Sequence, residues 1–347
     1  MTSDMSANDP VLQLFRLGTP WQAVDPFLFV AYHLDDYPEG TTDLGPDASL
    51  AGRPLGRDFG NPAGWNMYHG QTVPGFPQHP HRGFETVTYV RQGVVDHADS
   101  LGATARYGDG DTQWLTTGRG VSHSEMFPLL EPDRRNPLEL FQIWVNLPAA
   151  SKTADPHFSM FWNERTPRVV HADPAGRTTE VTVVAGAFGD TDPLAPPPES
   201  WAANTTADLA IWHLESEAGA EFTLPAAAGP DTHRVLYVYA GSSVRVGDSD
   251  ADEIHTGTGV LMDASQPVTL TAGPGGIKIL VLQGRPIGEP VAQHGPFVMN
   301  DATGLQEAFD DYRRTGFGGW PWPSDDPVHP SDAGRFARHP GGRVDTP

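Results

Sequence analysis

Two pairs of residues, each with one residue between its members, are the part of the chain best suited to chemistry. The first pair is His79 and His81, and the second is His123 and Glu125. On a β-strand, residues two apart point to the same face, with Cα atoms about 6.6 Å apart. Two neighbouring strands would therefore direct three imidazoles and one carboxylate at a single point. That ligand set suits a divalent transition metal and leaves coordination positions for a substrate.

The composition favours the β-rich protein that such strands require. The 347 residues include 38 Gly and 34 Pro, which is typical of many short strands joined by turns. Hydrophobic residues make up 38% of the chain, so a substantial core can form, and the length suggests about two domains. The chain has no cysteine, so any metal must be held by histidine and carboxylate ligands.

Charge and the chain ends limit the partners and the location. The net charge of -22 would repel phosphate backbones, so direct nucleic-acid binding is not expected. No apolar run approaches the length of a membrane-spanning helix. The N-terminal segment Met1–Pro10 has two aspartates and no basic residue, unlike a secretory signal. We therefore expect a cytoplasmic protein that does not bind membranes.

The pattern of apolar residues predicts short strands, one long loop and one helix. Alternating or apolar-rich runs predict strands at Thr86–Arg91, Thr112–Thr116 and Glu139–Leu147. Residues 36–64 are rich in Gly, Pro and Asp and predict a long irregular loop, a type of segment that often covers a functional site. After Asp301, apolar residues at helical spacing predict an amphipathic helix over residues 301–314.

A weak internal repeat predicts two similar β-domains in tandem. The run Val87–Gly93 is similar to Val235–Gly241. By that offset, the four candidate ligands correspond to Ala227, Gly229, Ala272 and Pro274, so the second domain lacks the ligand set. The predicted segments are a metal-binding domain over 11–148 that includes the loop 36–64, a linker over 149–180, a second domain over 181–300, a helix over 301–316 and an irregular tail over 317–347.

Longer motifs resemble a known family. The spacing Gly75-x3-His79-x-His81-x3-Glu85-x7-Gly93 resembles the first motif of the cupin barrels. The strings that resemble the two-cupin pirin family are His79–Val87, Asp99–Gly102, Gln113-Trp114, Gly118–Met126 and Gly288–Asn300. The resemblance covers roughly residues 15–316. It implies an all-β fold of two tandem cupin barrels, which are double-stranded β-helices, with a C-terminal helix.

The resemblance also implies the metal and its ligands. The four iron ligands of pirins fall on the positions of His79, His81, His123 and Glu125, which implies Fe(II), with Mn, Co, Ni or Zn as alternatives. Glu85 occupies the glutamate position of the first motif, and we assign it beside the ligands rather than to the metal. Arg82 and Arg119 flank ligands and are candidates to orient Glu85 or Glu125, whereas His97 is interpreted as structural or as a neighbour of the ligands.

Three functions follow from the resemblance. Some bacterial pirins are quercetin 2,3-dioxygenases, so we expect an enzyme that cleaves flavonols with O2, the hydroxy-ketone chelating the metal and Glu125 taking the 3-hydroxyl proton. The alternative is an iron-dependent, redox-sensing regulator that acts through a protein partner. The third hypothesis is a sugar-isomerase-like cupin with Zn or Mn. The sequence gives it less support, because it contains no Gly-rich motif that would bind a sugar phosphate. We expect a monomer, and an open metal-site mouth not sealed by residues 36–64 would favour the dioxygenase.

Overall fold

A computed structural model of the protein describes residues 10–229, 231–247 and 253–347. The residues before Pro10, on which the expectation of a missing secretory signal rests, lie outside the described part of the chain. The described residues form mainly β-strands, which are, in chain order, β1 (Val11–Arg16), β2 (Trp21–Gln22), β3 (Phe27–Tyr37), β4 (Gly75–His81), β5 (Phe84–Gln92), β6 (Val94–Asp99), β7 (Thr104–Gly108), β8 (Thr112–Thr116), β9 (Val121–Met126), β10 (Asn136–Asn146), β11 (His157–Phe161), β12 (Arg168–Ala172), β13 (Thr178–Ala185), β14 (Ala210–Ser216), β15 (Glu221–Leu224), β16 (His233–Gly241), β17 (Ser243–Val246), β18 (Ile254–His255), β19 (Thr258–Asp263), β20 (Val268–Ala272), β21 (Ile277–Gly284), β22 (Ala292–His294), β23 (Phe297–Met299), β24 (Phe336–Arg338) and β25 (Val344–Asp345).

The predicted all-β class and the three predicted strands are confirmed. The run Thr86–Arg91 lies inside β5, Thr112–Thr116 is β8, and Glu139–Leu147 overlaps β10. These runs are rich in β-branched and aromatic residues, which pack well on a pleated surface. Between β3 and β4 the chain has only isolated bridges, so residues 38–64 are irregular, as predicted, whereas the first two residues of the predicted loop, 36 and 37, end β3.

The chain divides into two compact units, and each is assembled from two separated stretches. The histidine unit consists of Val30–Arg165 and Glu289–Pro347. The second unit consists of Thr166–Gly288 together with the N-terminal residues up to Phe29. The predicted domains are continuous in sequence, whereas β1 pairs with β19 of the second unit and the segment after Gly288 belongs to the histidine unit.

The histidine unit contains two antiparallel sheets. One has the strand order β11-β8-β5-β10-β3, and the other has the order β25-β24-β7-β6-β9-β4. Their inner faces enclose an apolar core that includes Tyr107, Leu115 and Phe158. A pair of sheets with this many inward-facing apolar positions provides rigid strands on which side chains can be placed.

The second unit has the same kind of architecture, and its described residues include no histidine cluster like that of the first. Its larger sheet has the order β1-β19-β16-β21-β14-β13-β12, and its smaller sheet has the order β15-β20-β17-β18. Inward-facing residues such as Leu236, Val238 and Val281 form its core. Because Leu236 and Val238 alternate along β16, the other residues of that alternation also point inward.

The predicted helix is confirmed as α1 (Ala302–Thr315). The Asp301 side chain caps it by accepting a hydrogen bond from the Gly304 amide at 2.8 Å. Its apolar face packs on Phe297 and Phe317, as the helical spacing predicts. Among the described residues, no helix is both long enough and apolar enough to cross a membrane.

Two segments are more regular than the sequence suggests. The predicted linker 149–180 contains β11, which pairs with β8, and β12, which pairs with β13. The predicted irregular tail contains β24, which pairs with β7, and β25. Short edge strands of this kind form because a neighbouring strand offers unpaired backbone groups, a cause that is not visible in the local sequence.

Candidate metal site

The two candidate pairs lie on adjacent antiparallel strands. Strand β4 carries His79 and His81, β9 carries His123 and Glu125, and His79 lies directly opposite His123. The strands approach closely at Gly75, where a Cβ would lie 2.5 Å from the Glu125 carbonyl oxygen. Gly75 also has a φ of 131°, which disfavours other residues. This glycine therefore allows the two ligand-bearing strands to come together.

Three imidazoles converge at this point. Each of His79, His81 and His123 offers one ring nitrogen, and these atoms all lie within 4.8 Å of one another. The ring centroid of His79 lies 4.4 Å from that of His123 and 4.8 Å from that of His81. His81 and His123 are buried, and His79 is half-buried. Of the three rings, His79 is the most exposed.

The hydrogen bonds of the rings suit a metal. Nδ1 of His79 lies 2.9 Å from the Pro77 carbonyl oxygen, which fixes the tautomer and leaves Nε2 as a ligand. Neither ring nitrogen of the fully buried His123 has a hydrogen-bond partner in the described part of the chain. A buried polar atom without a partner is costly, and a bound metal ion would give one of the two nitrogens a partner. The cluster therefore fits a divalent metal ion.

The protonation states also suit a metal. Burial lowers the pKa of His79 to about 4 and lowers the pKa values of His81 and His123 well below their usual range. The three rings are then neutral at physiological pH, and each has a lone pair available. Neutral imidazoles are the form that binds divalent ions.

Glu125 lies beside the cluster rather than inside it. Its Oε2 atom is 3.9 Å from Nε2 of His123. The carboxylate accepts hydrogen bonds from Thr88 Oγ1 at 2.9 Å and from Gln142 Nε2 at 2.7 Å. Burial raises the pKa of this carboxyl. Two neighbours thus hold Glu125 next to His123 in a position from which it can accept a proton.

The other predicted neighbours have different partners. Glu85 accepts a hydrogen bond from Thr116 Oγ1 at 2.7 Å. Arg82 pairs with Asp311 and the exposed Arg119 pairs with Asp155, each at 2.7 Å, so the ion pairs of these arginines involve other carboxylates than Glu85 and Glu125, which they were expected to orient.

His97 lies close to the candidate ligands. Its ring centroid is 5.5 Å from that of His123, and its Nε2 atom is 3.3 Å from Asp99 Oδ2. It also faces Glu125 across strands β6 and β9. These positions agree with the interpretation of His97 as a structural neighbour of the site.

Sequence reasoning missed the two residues that hold Glu125. Thr88 lies on β5 and Gln142 lies opposite it on β10. Each is a polar residue with apolar residues on both sides of it in the sequence, and that was the available signal. A buried polar side chain needs a partner, but the sequence does not say which carboxylate supplies it.

A chain of aromatic rings leads from the surface to the cluster. The Phe76 ring lies 6.2 Å from that of His79. Phe59, on the long loop, lies 6.3 Å from Phe76 and 5.1 Å from His69. Phe59 is 52% exposed. The loop therefore brings an exposed aromatic ring to the approach to His79, which remains half-buried.

Apolar rings also pack behind the cluster. Phe84 and Trp144 lie 5.1 Å and 5.2 Å from the His81 ring and stack on each other at 4.0 Å. Nδ1 of His81 faces the Pro296 carbonyl oxygen at 3.4 Å. The rear of the site is thus closed by packed rings, which exclude water.

Two barrel-like β units, one of which carries a cluster of three histidines, define a two-cupin protein with a candidate metal centre. Residues 56–145 match the pirin family, and residues 211–318 match the pirin C-terminal cupin domain. The chain belongs to the pirin family, and the resemblance seen in the sequence is confirmed together with the two-cupin fold.

Relatives of the chain include both enzymes by name and pirins. A Pseudomonas aeruginosa protein named "Putative quercetin 2,3-dioxygenase" is 32% identical over 89% of this chain and 92% of its own length. Human pirin is 32% identical over 72% of this chain and 80% of its own length. A crystal structure of quercetin 2,3-dioxygenase from Acinetobacter baumannii is 26% identical, with a TM-score of 0.69, over 89% of this chain and 98% of that one.

Proposed function

We propose that this protein is an iron-dependent dioxygenase that cleaves flavonols such as quercetin. The observation that carries the proposal is the cluster of three neutral imidazoles, with the Glu125 carboxylate beside it, in which both nitrogens of the buried His123 lack partners among the described residues. The names of the Pseudomonas relative and of the Acinetobacter structure support the same activity. Similar metals could occupy such a site, and Fe(II) is the one that matches reactions with O2.

The candidate ligands are His79, His81, His123 and Glu125. Bound Fe(II) would supply a Lewis acid for the adjacent hydroxyl and keto groups of a flavonol and a redox partner for O2. The chain itself supplies the geometry. The Pro77 carbonyl oxygen fixes the tautomer of His79, and Thr88 and Gln142 hold the Glu125 carboxylate.

Glu125 is the group that we assign to proton transfer. Its carboxylate would accept the proton of the flavonol 3-hydroxyl group as the substrate becomes an anion. Burial raises the pKa of this carboxyl, which makes the ionised form a better base than an exposed glutamate. The donors Thr88 and Gln142 keep the acceptor oxygens in a fixed position.

The aromatic approach supports a planar aromatic substrate. Phe59 and Phe76 form a path of rings that ends at the half-exposed His79, and flat rings stack well on one another. The loop segment contributes Phe59 to this path while His79 remains half-buried. An approach beside the partly exposed His79 would favour the dioxygenase, whereas a mouth sealed by residues 36–64 would favour a smaller substrate or a regulator.

The test is oxygen uptake by anaerobically Fe(II)-loaded protein that is given quercetin. We expect oxygen consumption and loss of the flavonol absorbance in the wild type, and neither in His123→Ala. The matched control is His213→Ala, which also removes a buried histidine but one whose Nε2 atom lies 2.7 Å from Tyr239 Oη in the second unit. Turnover that persists in His123→Ala, or iron-replete wild type that does not consume oxygen, would refute the proposal.

The alternative is an iron-dependent regulator that acts through a protein partner. The net charge of -22 favours a protein partner over nucleic acid. Iron bound by wild type but not by His123→Ala, without turnover of quercetin, would favour this alternative. A pull-down in the Fe(II) and Fe(III) states would then have to recover a partner in one state only.

We extend the proposal to a monomer in the cytoplasm, because one chain already carries two cupin units, the number that single-cupin proteins obtain by dimerising. Light scattering behind a sizing column should give the 37.4 kDa mass of one chain. A mass of twice that value would contradict it.

A further inference from the structure

The second unit contains a buried arginine that its apolar core does not explain. Arg234 lies on β16 and alternates with Leu236 and Val238, which belong to the core, so its side chain points inward. Its exposed fraction is 0%. A buried guanidinium is costly unless an anion and a full set of hydrogen bonds compensate it.

The contacts of Arg234 are incomplete. Its Nε atom donates to Gln283 Oε1 at 2.8 Å, and its Nη2 atom donates to the same oxygen. Its Nη1 atom has no hydrogen-bond partner within residues 10–229, 231–247 and 253–347. The guanidinium is therefore bound by a neutral amide and has one edge left over.

The Asp208 carboxylate, which interacts electrostatically with Arg234, accepts hydrogen bonds from other donors. Asp208 accepts from Gln283 Nε2 at 3.0 Å, from the Ala228 amide at 2.8 Å and from Thr232 Oγ1 at 2.9 Å. It reaches Arg234 only through Gln283. The arginine thus has an acid nearby but no direct ion pair, and its desolvation lowers its pKa to about 10.

A cavity of about 590 Å³ lies next to this group within the second unit. Gln283, Asp208 and Trp212 form part of its wall, together with apolar residues such as Leu194 and Pro225. The Arg234 guanidinium lies behind that wall, 5.8 Å from the centroid of the Trp212 ring. Cavities of about 300–1,000 Å³ with apolar walls and a few polar groups are typical of small-molecule sites.

We propose that this cavity is a second binding site, for a small organic monocarboxylate with an apolar body, anchored by the positive charge of Arg234. A carboxylate would accept from the Nη1 edge, since guanidinium and carboxylate are complementary in shape and charge. Reaching that edge requires the Gln283 side chain to turn aside. The apolar body would lie on Trp212.

Asp208 restricts the ligand further. Its negative charge lines the same cavity, so a dianion such as phosphate would be repelled more strongly than a monoanion. A neutral body is favoured for the same reason. This site does not depend on the metal cluster, because all of the residues that form it belong to the second unit.

The experiment is isothermal titration of metal-free protein with benzoate and with its neutral analogue benzyl alcohol. We expect saturable benzoate binding, at least about ten-fold tighter than that of benzyl alcohol, which corresponds to about 1.4 kcal/mol. Arg234→Met should bind both compounds equally weakly. His123→Ala should bind benzoate like the wild type, which separates this site from the metal cluster.

A second variant tests the sign of the electrostatic argument. Asp208→Asn removes a like charge from the cavity wall and should tighten benzoate binding several-fold. This variant decides the matter if Arg234→Met fails to fold. Equal affinity of wild type for the two compounds, retained preference in Arg234→Met, or unchanged benzoate affinity in Asp208→Asn would overturn the proposal.

Discussion

At the scale of single residues, His123 lowers the stability of the metal-free protein and provides a nitrogen that could bind a metal ion. It is fully buried, and both of its ring nitrogens lack partners in the described residues. A polar atom in that situation costs about 1–3 kcal/mol. In a protein that never binds a metal, this cost would have no compensation. In a protein that does, metal binding would offset part of it.

The first prediction follows from this cost. Replacing His123 with Phe should raise the free energy of unfolding of the metal-free protein by about 1–2 kcal/mol, because the ring is kept and the unsatisfied nitrogens are lost. Metal binding should disappear at the same time. Urea denaturation of metal-free protein measures the first effect, and metal analysis measures the second.

The control is His213→Phe in the second unit. This change also replaces a buried ring, but His213 has the Tyr239 hydroxyl group as a partner at 2.7 Å. It should therefore lower the free energy of unfolding. A lower stability of His123→Phe than of wild type would show that the nitrogens of His123 are satisfied in solution.

The second prediction concerns the residues that hold Glu125. Thr88→Val removes a hydrogen bond to the carboxylate without touching a candidate ligand, so kcat should fall about 10-fold while the metal content is retained. Thr86→Val is a matched control, because Thr86 lies on the same face of β5, is equally buried, and its hydroxyl has no partner in the described chain. If both changes lower kcat equally, Thr88 does not position Glu125.

At the scale of elements, the long loop between β3 and β4 gives the site its aromatic approach. The third prediction is that Phe59→Ala raises KM for quercetin by about 2–10-fold, as expected for the loss of one aromatic stacking contact, and leaves kcat nearly unchanged. Leu55→Ala is the control, since Leu55 lies on the same loop and is 38% exposed. Steady-state kinetics on both variants decide the point, and a fall in kcat alone would contradict it.

Within the histidine unit, a buried arginine on β7 holds the C-terminal tail against the strand. Arg106 forms a bidentate ion pair with Asp96, in which Nε and Nη2 each lie 2.7 Å from a carboxylate oxygen. Its Nη1 atom donates to the Pro330 and Ala333 carbonyl oxygens of the tail. One side chain thus joins a strand to the segment that leads into β24.

The fourth prediction is that Arg106→Met lowers the free energy of unfolding by about 3–5 kcal/mol, because it leaves the Asp96 carboxylate buried without its partner. The double variant Asp96→Asn with Arg106→Met should be less destabilised than the sum of the two single variants. Urea denaturation of all three gives the coupling energy. If the loss of stability in the double variant equals the sum of the two single losses, the ion pair between Arg106 and Asp96 does not contribute to stability.

At the scale of the whole molecule, the sequence predicts what depends on local periodicity. The two i, i+2 pairs, the main strands and the capped helix all follow from spacing within a few residues. Long-range pairing leaves no such trace, so β11, β24 and the partners of Glu125 were missed. The assignment of β1 to the second unit was missed for the same reason, because no residue in it specifies a partner more than 200 positions away.

The two units also divide the chemistry between them. One has three converging imidazoles, and the other has an apolar core with the buried Arg234 guanidinium beside a cavity. The repeat predicts the loss of the histidines from the second unit but gives no sign of Arg234. The available signal was a charged residue beside a run of apolar residues in β16, much as the polar Gln142 lies among apolar residues in β10.

The discontinuous composition of the histidine unit has a consequence for biosynthesis. Its candidate ligands leave the ribosome early, but the residues from Glu289 onward, which complete the same unit, are translated only after the second unit. These late residues include Pro296, whose carbonyl oxygen faces His81, and Phe317, whose ring fills the space beside Gly120. Domains usually fold in the order in which they are made. The histidine unit is thus the last to be completed, and we expect its proposed metal to bind only after synthesis of the chain is complete.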